Sequence, residues 1–167
     1  IYVRVSTNAA NVKLFQSGHF DKHFQDPEVE WRVSLESHIP EAHNQIRPNS
    51  YHNVVDNLRY MASHGARISI KTVVGQHNYD HFEDIIYFSH DIGATDYLYS
   101  PLSLTGNALK NNIINRITTL MINKKVIGLI EKDHAMGPFL RSSPLARYLK
   151  LIYLRQCSVL PRVQFFV

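Results

Sequence analysis

The chain has 167 residues and a net charge of +4, and its 44% hydrophobic and 19% charged residues are typical of a globular protein with a sizeable core. Lysine and arginine are scattered and the apolar runs are short, which argues against nucleic acid and membrane as partners. Cys157 is the single cysteine, so we expect a buried thiol, no internal disulfide, and a reducing, cytoplasmic setting.

Four apolar, β-branched runs recur about thirty residues apart, the size of a βα unit. In chain order they span residues 2–6, 30–35, 67–74 and 97–101. Helical patterns lie between them, which predicts a parallel sheet with right-handed crossovers. Four units are too few to close an eight-stranded barrel. We therefore predict the α/β class, as a partial (βα) TIM-like barrel of about four parallel strands with outer helices.

Two of the intervening helices have clear end signals. The first follows the second strand, with Ser50 as its N-cap and Gly65 as the residue that ends it. The next helix follows the third strand, with Asn78 as the cap candidate and Gly93 as its end.

The helical pattern is weaker near the amino terminus. Later in the chain, helical patterns continue without strands between them. Residues 15–24 are a weak helix prediction, while 109–125 and 138–154 are expected to be helical without strands between them. We predict a partial barrel over residues 1–109 and a helical tail over 110–167. Because the chain starts in mid-strand without Met and ends on an apolar run, we interpret it as a piece of a larger protein.

In parallel α/β folds the chemistry lies at the carboxyl ends of the strands. Ser34 ends the second strand, where its hydroxyl would bind a ligand's ribose or carboxylate, or else its own neighbouring backbone. Arg47 lies on the loop into the next helix, where it would hold a carboxylate through two hydrogen bonds, or else be a surface arginine. The spacing alone leaves both pairs of alternatives open.

Several of the ten histidines lie near carboxylates, which raises the question of a metal site. His38 and His43, with Glu36 and Glu41, are residue types that bind zinc or iron. No His-x-x-x-His or two-His-one-carboxylate spacing is clear, so we assign no metal ligand and no catalytic residue. A βα-repeat hydrolase that uses this loop to bind metal is retained as the third hypothesis.

Four segments carry a resemblance to a known family. Residues 5–9 (VSTNA) resemble its third strand, which usually ends Thr-Asn-Gly; 33–37 (VSLES) and 40–48 (PEAHNQIRP) resemble the fourth, typically Val-Ser-Leu-Asp-Gly followed by Glu-x-His-Asp-x-x-Arg. Residues 72–78 and 93–108 are similar to the fifth and sixth strands. The family is the radical S-adenosylmethionine (radical SAM) enzymes, and the closest likeness is to the peptide-modifying, sulfatase-maturase-like branch with a SPASM-type C-terminal extension.

The resemblance implies a cofactor site. Ser34 would contact S-adenosylmethionine at its ribose or amino-acid portion, and Arg47 would contact its carboxylate. Leu102 would lie near the adenine, and Asn8 would line the pocket. Family members cleave the cofactor with a [4Fe-4S] cluster to give a 5′-deoxyadenosyl radical, which abstracts hydrogen from a substrate. For this branch the implied substrate is a peptide or protein.

The sequence also departs from the family pattern. The Cys-x-x-x-Cys-x-x-Cys loop and the Gly-Gly-Glu-Pro motif, which precede the third strand, are not in the chain. Glu36-Ser37 replaces Asp-Gly, Asn44 replaces Asp, and Ala9 replaces Gly. We expect the chain alone to be inactive, as a fragment of a radical SAM enzyme. The second hypothesis is a degenerate relative that binds a peptide at the open edge of its half-barrel, without catalysis.

Overall fold

A sheet of four parallel strands organises the computed structural model, which describes residues 1–103 and 115–140. The strands are β1 (Val3–Thr7), β2 (Val29–Ser34), β3 (Arg67–Val74) and β4 (Asp96–Pro101), and their order in the sheet follows the chain. Each predicted strand lies within one residue of an observed one. The prediction of an α/β fold with about four parallel strands is confirmed.

Helices connect and cover these strands. In the part of the chain that the structure describes they are α1 (Val12–Phe15), α2 (Asp21–Phe24), α3 (Pro40–Ile46), α4 (Tyr51–Ser63), α5 (Phe82–Asp91), α6 (Thr119–Lys132) and α7 (Met136–Phe139). The core lies between these helices and one face of the sheet, where Trp31, Ile68, Ile70 and Tyr97 are buried.

The weak helix prediction over residues 15–24 is confirmed only at its two ends, because α1 ends at Phe15 and α2 begins at Asp21. Gly18, in the break between them, adopts a φ of +77°, a left-handed conformation that interrupts a helix and that glycine accepts without strain. The two short helices still place their aromatic side chains together. Phe15 and Phe24 pack edge-on against Trp31, with ring centroids 6.0 Å and 5.1 Å away.

The start of α4 lies where the sequence indicates, but another side chain caps it. Ser50 occupies the N-cap position, yet its hydroxyl makes no hydrogen bond to the helix. The side-chain oxygen of Asn44 instead accepts hydrogen bonds from the backbone N–H groups of Ser50 and Tyr51, each at 3.1 Å. Asn44 therefore satisfies donors that a helix start leaves free.

Two predicted helix ends are confirmed and one predicted start is wrong. Gly65 and Gly93, with φ of +81° and +93°, directly follow the C-cap residues of α4 and α5. Asn78 does not cap α5, because that helix begins at Phe82 with His81 as its N-cap. The Asn78 side chain bonds to the strand ends instead.

The carboxyl-terminal helix predictions fit only in part. The helix predicted over 109–125 is wrong over residues 115–118, because α6 begins at Thr119, where the Thr118 hydroxyl accepts a hydrogen bond from the N–H of Met121. The short helix α7 has Leu140 as its C-cap. Gly106, Cys157 and the rest of the helix predicted over 138–154 lie outside the described residues.

The helix α6 belongs to the same core as the sheet. Its residues Ile122, Val126 and Leu129 are buried in that core. A hydrogen bond of 3.0 Å from the Tyr99 hydroxyl to Asn123 joins the helix to β4. No helix in the described ranges has the length and apolar character needed to cross a membrane.

Candidate functional site

The face of the sheet opposite the core carries polar and charged side chains. Successive residues of a strand point to opposite faces, and partners in a parallel register share a face. Trp31 and Val33 of β2 and Ile70 of β3 point into the core, so their neighbours along each strand point to the opposite face. We call this surface the polar face; it carries Arg4, Ser6, Glu30, Arg32, Ser34, Arg67, Ser69, Lys71, Asp96, Leu98 and Ser100.

Three of the four predicted site residues lie at the carboxyl edge of the sheet. Ser34 is the last residue of β2, Asn8 directly follows β1, and Leu102 directly follows β4. Since β1 and β4 are three strand spacings apart and Leu102 lies four residues beyond the row of Asn8, the two residues are about 19 Å apart. Only an extended ligand would contact both. The half-buried Ser34 hydroxyl makes no hydrogen bond with the described residues, so it remains available to a ligand.

The fourth predicted residue, Arg47, is tied to this edge by an ion pair. It is the C-cap residue of α3, and its Nε donates to Oε1 of Glu36 over 3.0 Å. The Glu36 side chain is 3% exposed and that of Arg47 is 33% exposed. Within residues 1–103 and 115–140 the two terminal nitrogens of this guanidinium have no partner. The guanidinium of Arg47 is thus held at Nε, while its terminal nitrogens can bind a ligand.

The loop that carries Glu36 is bound to the neighbouring strand. The second carboxylate oxygen of Glu36 accepts a hydrogen bond of 3.3 Å from the N–H of Val73. The buried Asn78 donates from its amide nitrogen to the carbonyls of Glu36 and Val73, at 2.8 and 3.0 Å. Its amide oxygen accepts from the N–H of Gly75 at 3.0 Å. These bonds join the carboxyl ends of β2 and β3 beneath Arg47.

His43 completes the support of Arg47 from the other side. Its Nδ1 accepts from the N–H of Glu36 at 3.3 Å, so the ring proton lies on Nε2, which donates to the Ser50 hydroxyl at 3.1 Å. That hydroxyl donates to the Arg47 carbonyl at 2.8 Å. Burial, followed by the charge of Arg47, lowers the pKa of His43 to about 4. His43 is neutral at physiological pH, and both of its nitrogens are already bonded.

Leu102 lies over the end of β3. Its N–H donates to the Val74 carbonyl at 2.8 Å. A Cβ at Gly75 would stand 3.2 Å from Cδ2 of Leu102 and 3.0 Å from Nδ1 of His77, so glycine allows this close packing. Nε2 of His77 is buried with no hydrogen-bond partner among the described residues. Burial lowers the pKa of His77, against the opposing effect of the Glu36 carboxylate.

Asn8 stands at the far end of the site, in a tight turn. Its side-chain oxygen accepts from the N–H of Ala10 at 3.2 Å. Ala9 has a φ of +50°, the left-handed conformation that favours glycine, and the family pattern has glycine at this position. Asn57 fixes the turn by donating to the Ala9 carbonyl at 2.7 Å.

The structure also bears on the metal interpretation. Across residues 1–103 and 115–140 no group of three His, Cys, Asp or Glu side chains is arranged to hold a metal ion. Glu36 is paired with Arg47, and His43 uses both of its ring nitrogens in hydrogen bonds. His38 lies on the same loop with its ring centroid 6.1 Å from that of His81, and burial lowers its pKa.

A cleft of about 540 Å³ lies away from these residues, beside the outer strand β1. Val5, Phe15 and Trp31 contribute to its mainly apolar lining, and the predicted site residues do not. The cleft opens on the core side of β1 rather than on the polar face. It marks a second surface, distinct from the carboxyl edge.

The fold resembles that of solved structures of SuiB from Streptococcus suis. The crystal structure of SuiB bound to precursor peptide SuiA superposes with a TM-score of 0.63 at 15% identity, over 80% of this chain. The structure of SuiB bound to S-adenosylmethionine gives a TM-score of 0.63 at 15% identity over 79% of this chain. A further SuiB structure gives a TM-score of 0.60 at 14% identity over 79% of this chain. At this identity the likeness shows a common α/β fold.

The matched region is a minor part of the SuiB chain. This chain spans 30%, 31% and 30% of the three SuiB chains. No protein-family model matches the sequence, and no curated protein matches it significantly.

Proposed function

We propose that this chain is part of a radical SAM enzyme acting on a peptide or protein, and that its carboxyl edge binds S-adenosylmethionine. One observation carries the proposal. The segment that most specifically resembles the family places Ser34 at a strand end and brings Arg47 to the same edge. The fold likeness to SuiB, which has been crystallised with S-adenosylmethionine and with a precursor peptide, supports it.

The residues at this edge have the chemistry that the cofactor requires. The free nitrogens of Arg47 suit its carboxylate, and the hydroxyl of Ser34 suits its ribose or amino-acid portion. Leu102 offers an apolar surface to the adenine, beside the half-buried ring of His77. Asn8 would line the far end of the pocket. When bound, the cofactor would supply hydrogen-atom abstraction, and these residues would hold and orient it.

The iron-sulfur cluster does not fit this chain by itself. The family's cluster is held by three cysteines, and the sequence contains one, Cys157. Any cluster would therefore need ligands from outside these 167 residues. We derive no reaction step through it, and we expect the chain to bind the cofactor without turning it over.

Binding measurements on four variants test the cofactor site. Calorimetric titration of the full chain with S-adenosylmethionine should give weaker binding for Ser34→Ala, by about three- to tenfold, since one hydrogen bond is lost. Arg47→Ala should weaken binding further, because the carboxylate loses a charged partner. Ser63→Ala and Arg59→Ala, on exposed positions of α4, serve as matched controls. Unchanged affinity in both site variants would contradict the proposal.

The second candidate is a peptide-binding module without catalysis. The cleft beside β1 favours it, because an extended peptide that added to this outer strand could place side chains in the apolar lining. A chain that bound apolar peptides at β1 and showed no affinity for S-adenosylmethionine would favour this candidate over the enzyme.

The finer assignments remain predictions. They are the SPASM-type branch, the cytoplasmic location, and the division into a partial barrel over 1–109 and a tail over 110–167. The sequence preceding Ile1 in the parent protein would test the enzyme most simply. Three cysteines in the family spacing would favour catalysis, and their absence would favour the binding module.

A further inference from the structure

Lys71 is a cation in the middle of the polar face with no partner among the described residues. The register places it between Ser34 of β2 and Leu98 of β4. Its side chain is exposed, and across residues 1–103 and 115–140 it makes no ion pair or hydrogen bond. Packing and pairing in the described fold therefore do not account for a lysine at this position.

Glu30, one of the two acids on the polar face, does not neutralise Lys71. Glu30 accepts hydrogen bonds from the Tyr2 hydroxyl and ion-pairs with Arg4 and Arg32 at 3.0 and 3.1 Å. Burial alone would raise the pKa of Glu30, but the bonds from Tyr2 and Arg4 bring it below its ordinary value. Glu30 pairs in register with Arg67, which lies four residues before Lys71 on β3. The side chains of Glu30 and Lys71 therefore start about 13 Å apart along the strand direction.

The polar face as a whole carries more positive than negative charge, and the charged residues nearest to Lys71 in register are Arg32 and Asp96, each one strand away and two residues deeper. Four cations, Arg4, Arg32, Arg67 and Lys71, share this face with two acids, Glu30 and Asp96. Two hydrogen-bond donors lie one row deeper than Lys71 on the same face. Nε of Arg32 and the hydroxyl of Ser69, which is 1% exposed, have no partner among the described residues.

We infer that Lys71, with Arg32 one row deeper on the polar face, binds a carboxylate of the substrate, which makes the site selective for acidic peptides. An exposed ammonium attracts a carboxylate, and the neighbouring guanidinium adds a second positive charge that repels cationic groups. The inference rests on the proposed function, in which Arg47 at the edge takes the carboxylate of the cofactor. Lys71 lies on the face that a substrate beside the cofactor would contact.

A pair of peptides tests this inference on the full chain. The probes are acetyl-Ala-Asp-Ala-Ala-amide and its Asn counterpart, titrated into ¹⁵N-labelled protein while the backbone amide shifts of Ser34, Lys71 and Leu98 are followed. We expect the Asp peptide to bind about two- to fivefold more tightly than the Asn peptide, the range for an exposed ion pair. Equal affinities, or no binding of the Asp peptide, would overturn the inference.

Variants show whether Lys71 causes the preference. Lys71→Met should abolish it and Lys71→Arg should keep it, because only the second retains the charge. Lys22→Met, at an exposed lysine on α2, is the matched control and should keep it as well. A preference that survived Lys71→Met would overturn the inference.

The same variant separates the two sources of carboxylate. If Lys71→Met loses affinity for S-adenosylmethionine while the peptide preference stays, the lysine belongs to the cofactor site and the inference is wrong. If the parent chain binds no S-adenosylmethionine yet prefers the Asp peptide through Lys71, the proposed function fails and carboxylate recognition stands.

Discussion

Removing Arg47 should destabilise the fold far more than removing an ordinary surface arginine. Glu36 is 3% exposed, and its carboxylate is held by Nε of Arg47 and the N–H of Val73. Arg47→Ala would leave this carboxylate buried with only the backbone donor. A buried charge that loses its partner is costly, whereas an exposed pair contributes little.

The magnitude follows from the exposure of the two side chains. Breaking a fully buried ion pair costs about 3–5 kcal/mol. Because Arg47 is 33% exposed, water reaches the vacated position and reduces the cost, so we expect about 2–3 kcal/mol. For a domain of this size that lowers the melting temperature by about 5–10 °C.

Chemical denaturation of three variants and the unmodified chain measures the effect. Arg59→Ala is the control, since its pair with Asp56 spans 3.9 Å with both side chains about 60% exposed, and it should cost under about 0.5 kcal/mol. Adding Glu36→Gln to Arg47→Ala should recover more than half of the loss, because the amide oxygen still accepts from Val73 without a charge. A loss for Arg47→Ala no larger than that for Arg59→Ala would refute the reasoning.

Two further perturbations follow from the geometry. Because the pKa of His43 falls from 6.5 to about 4 on folding, the unfolded chain binds a proton first, and stability is lost as the pH falls between these values. Denaturation midpoints measured against pH should therefore fall less steeply for His43→Gln than for the unmodified chain. An unchanged slope would count against this role of His43. Gly93→Ala should cost about 1–3 kcal/mol, since φ is +93° and the new Cβ would lie 2.8 Å from that of Ala62. Gly128→Ala, in α6 with nothing within 4 Å, should be neutral or stabilising by up to about 1 kcal/mol; equal losses at both glycines would contradict this account.

The sheet could be predicted from the sequence because its signal is local. Each strand is a short apolar, β-branched run, and the periodic helices between the runs require parallel pairing. Helix ends were predictable where glycine must adopt a positive φ, as at Gly65 and Gly93. The helix predicted over 15–24 is interrupted, because the positive φ of Gly18 lies between α1 and α2.

The internal support of the site could not be predicted, since it depends on contacts between distant residues. Asn78 follows a strand and precedes a helix, which is typical of a cap, but its amide bonds Glu36, 42 residues away. The sequence shows Glu36 and His43 as titratable groups and offers a metal site as one reason for them. In the fold they hold Arg47 in place.

The location of S-adenosylmethionine on the chain tests the central claim most directly. Titration of the ¹⁵N-labelled chain with S-adenosylmethionine should shift the amide resonances of Asn8, Ser34, Arg47 and Leu102. Residues beside the β1 cleft, such as Phe15 and Phe20, should stay unchanged. Shifts confined to the cleft, or none at all at millimolar cofactor, would contradict a cofactor site at the carboxyl edge of the sheet.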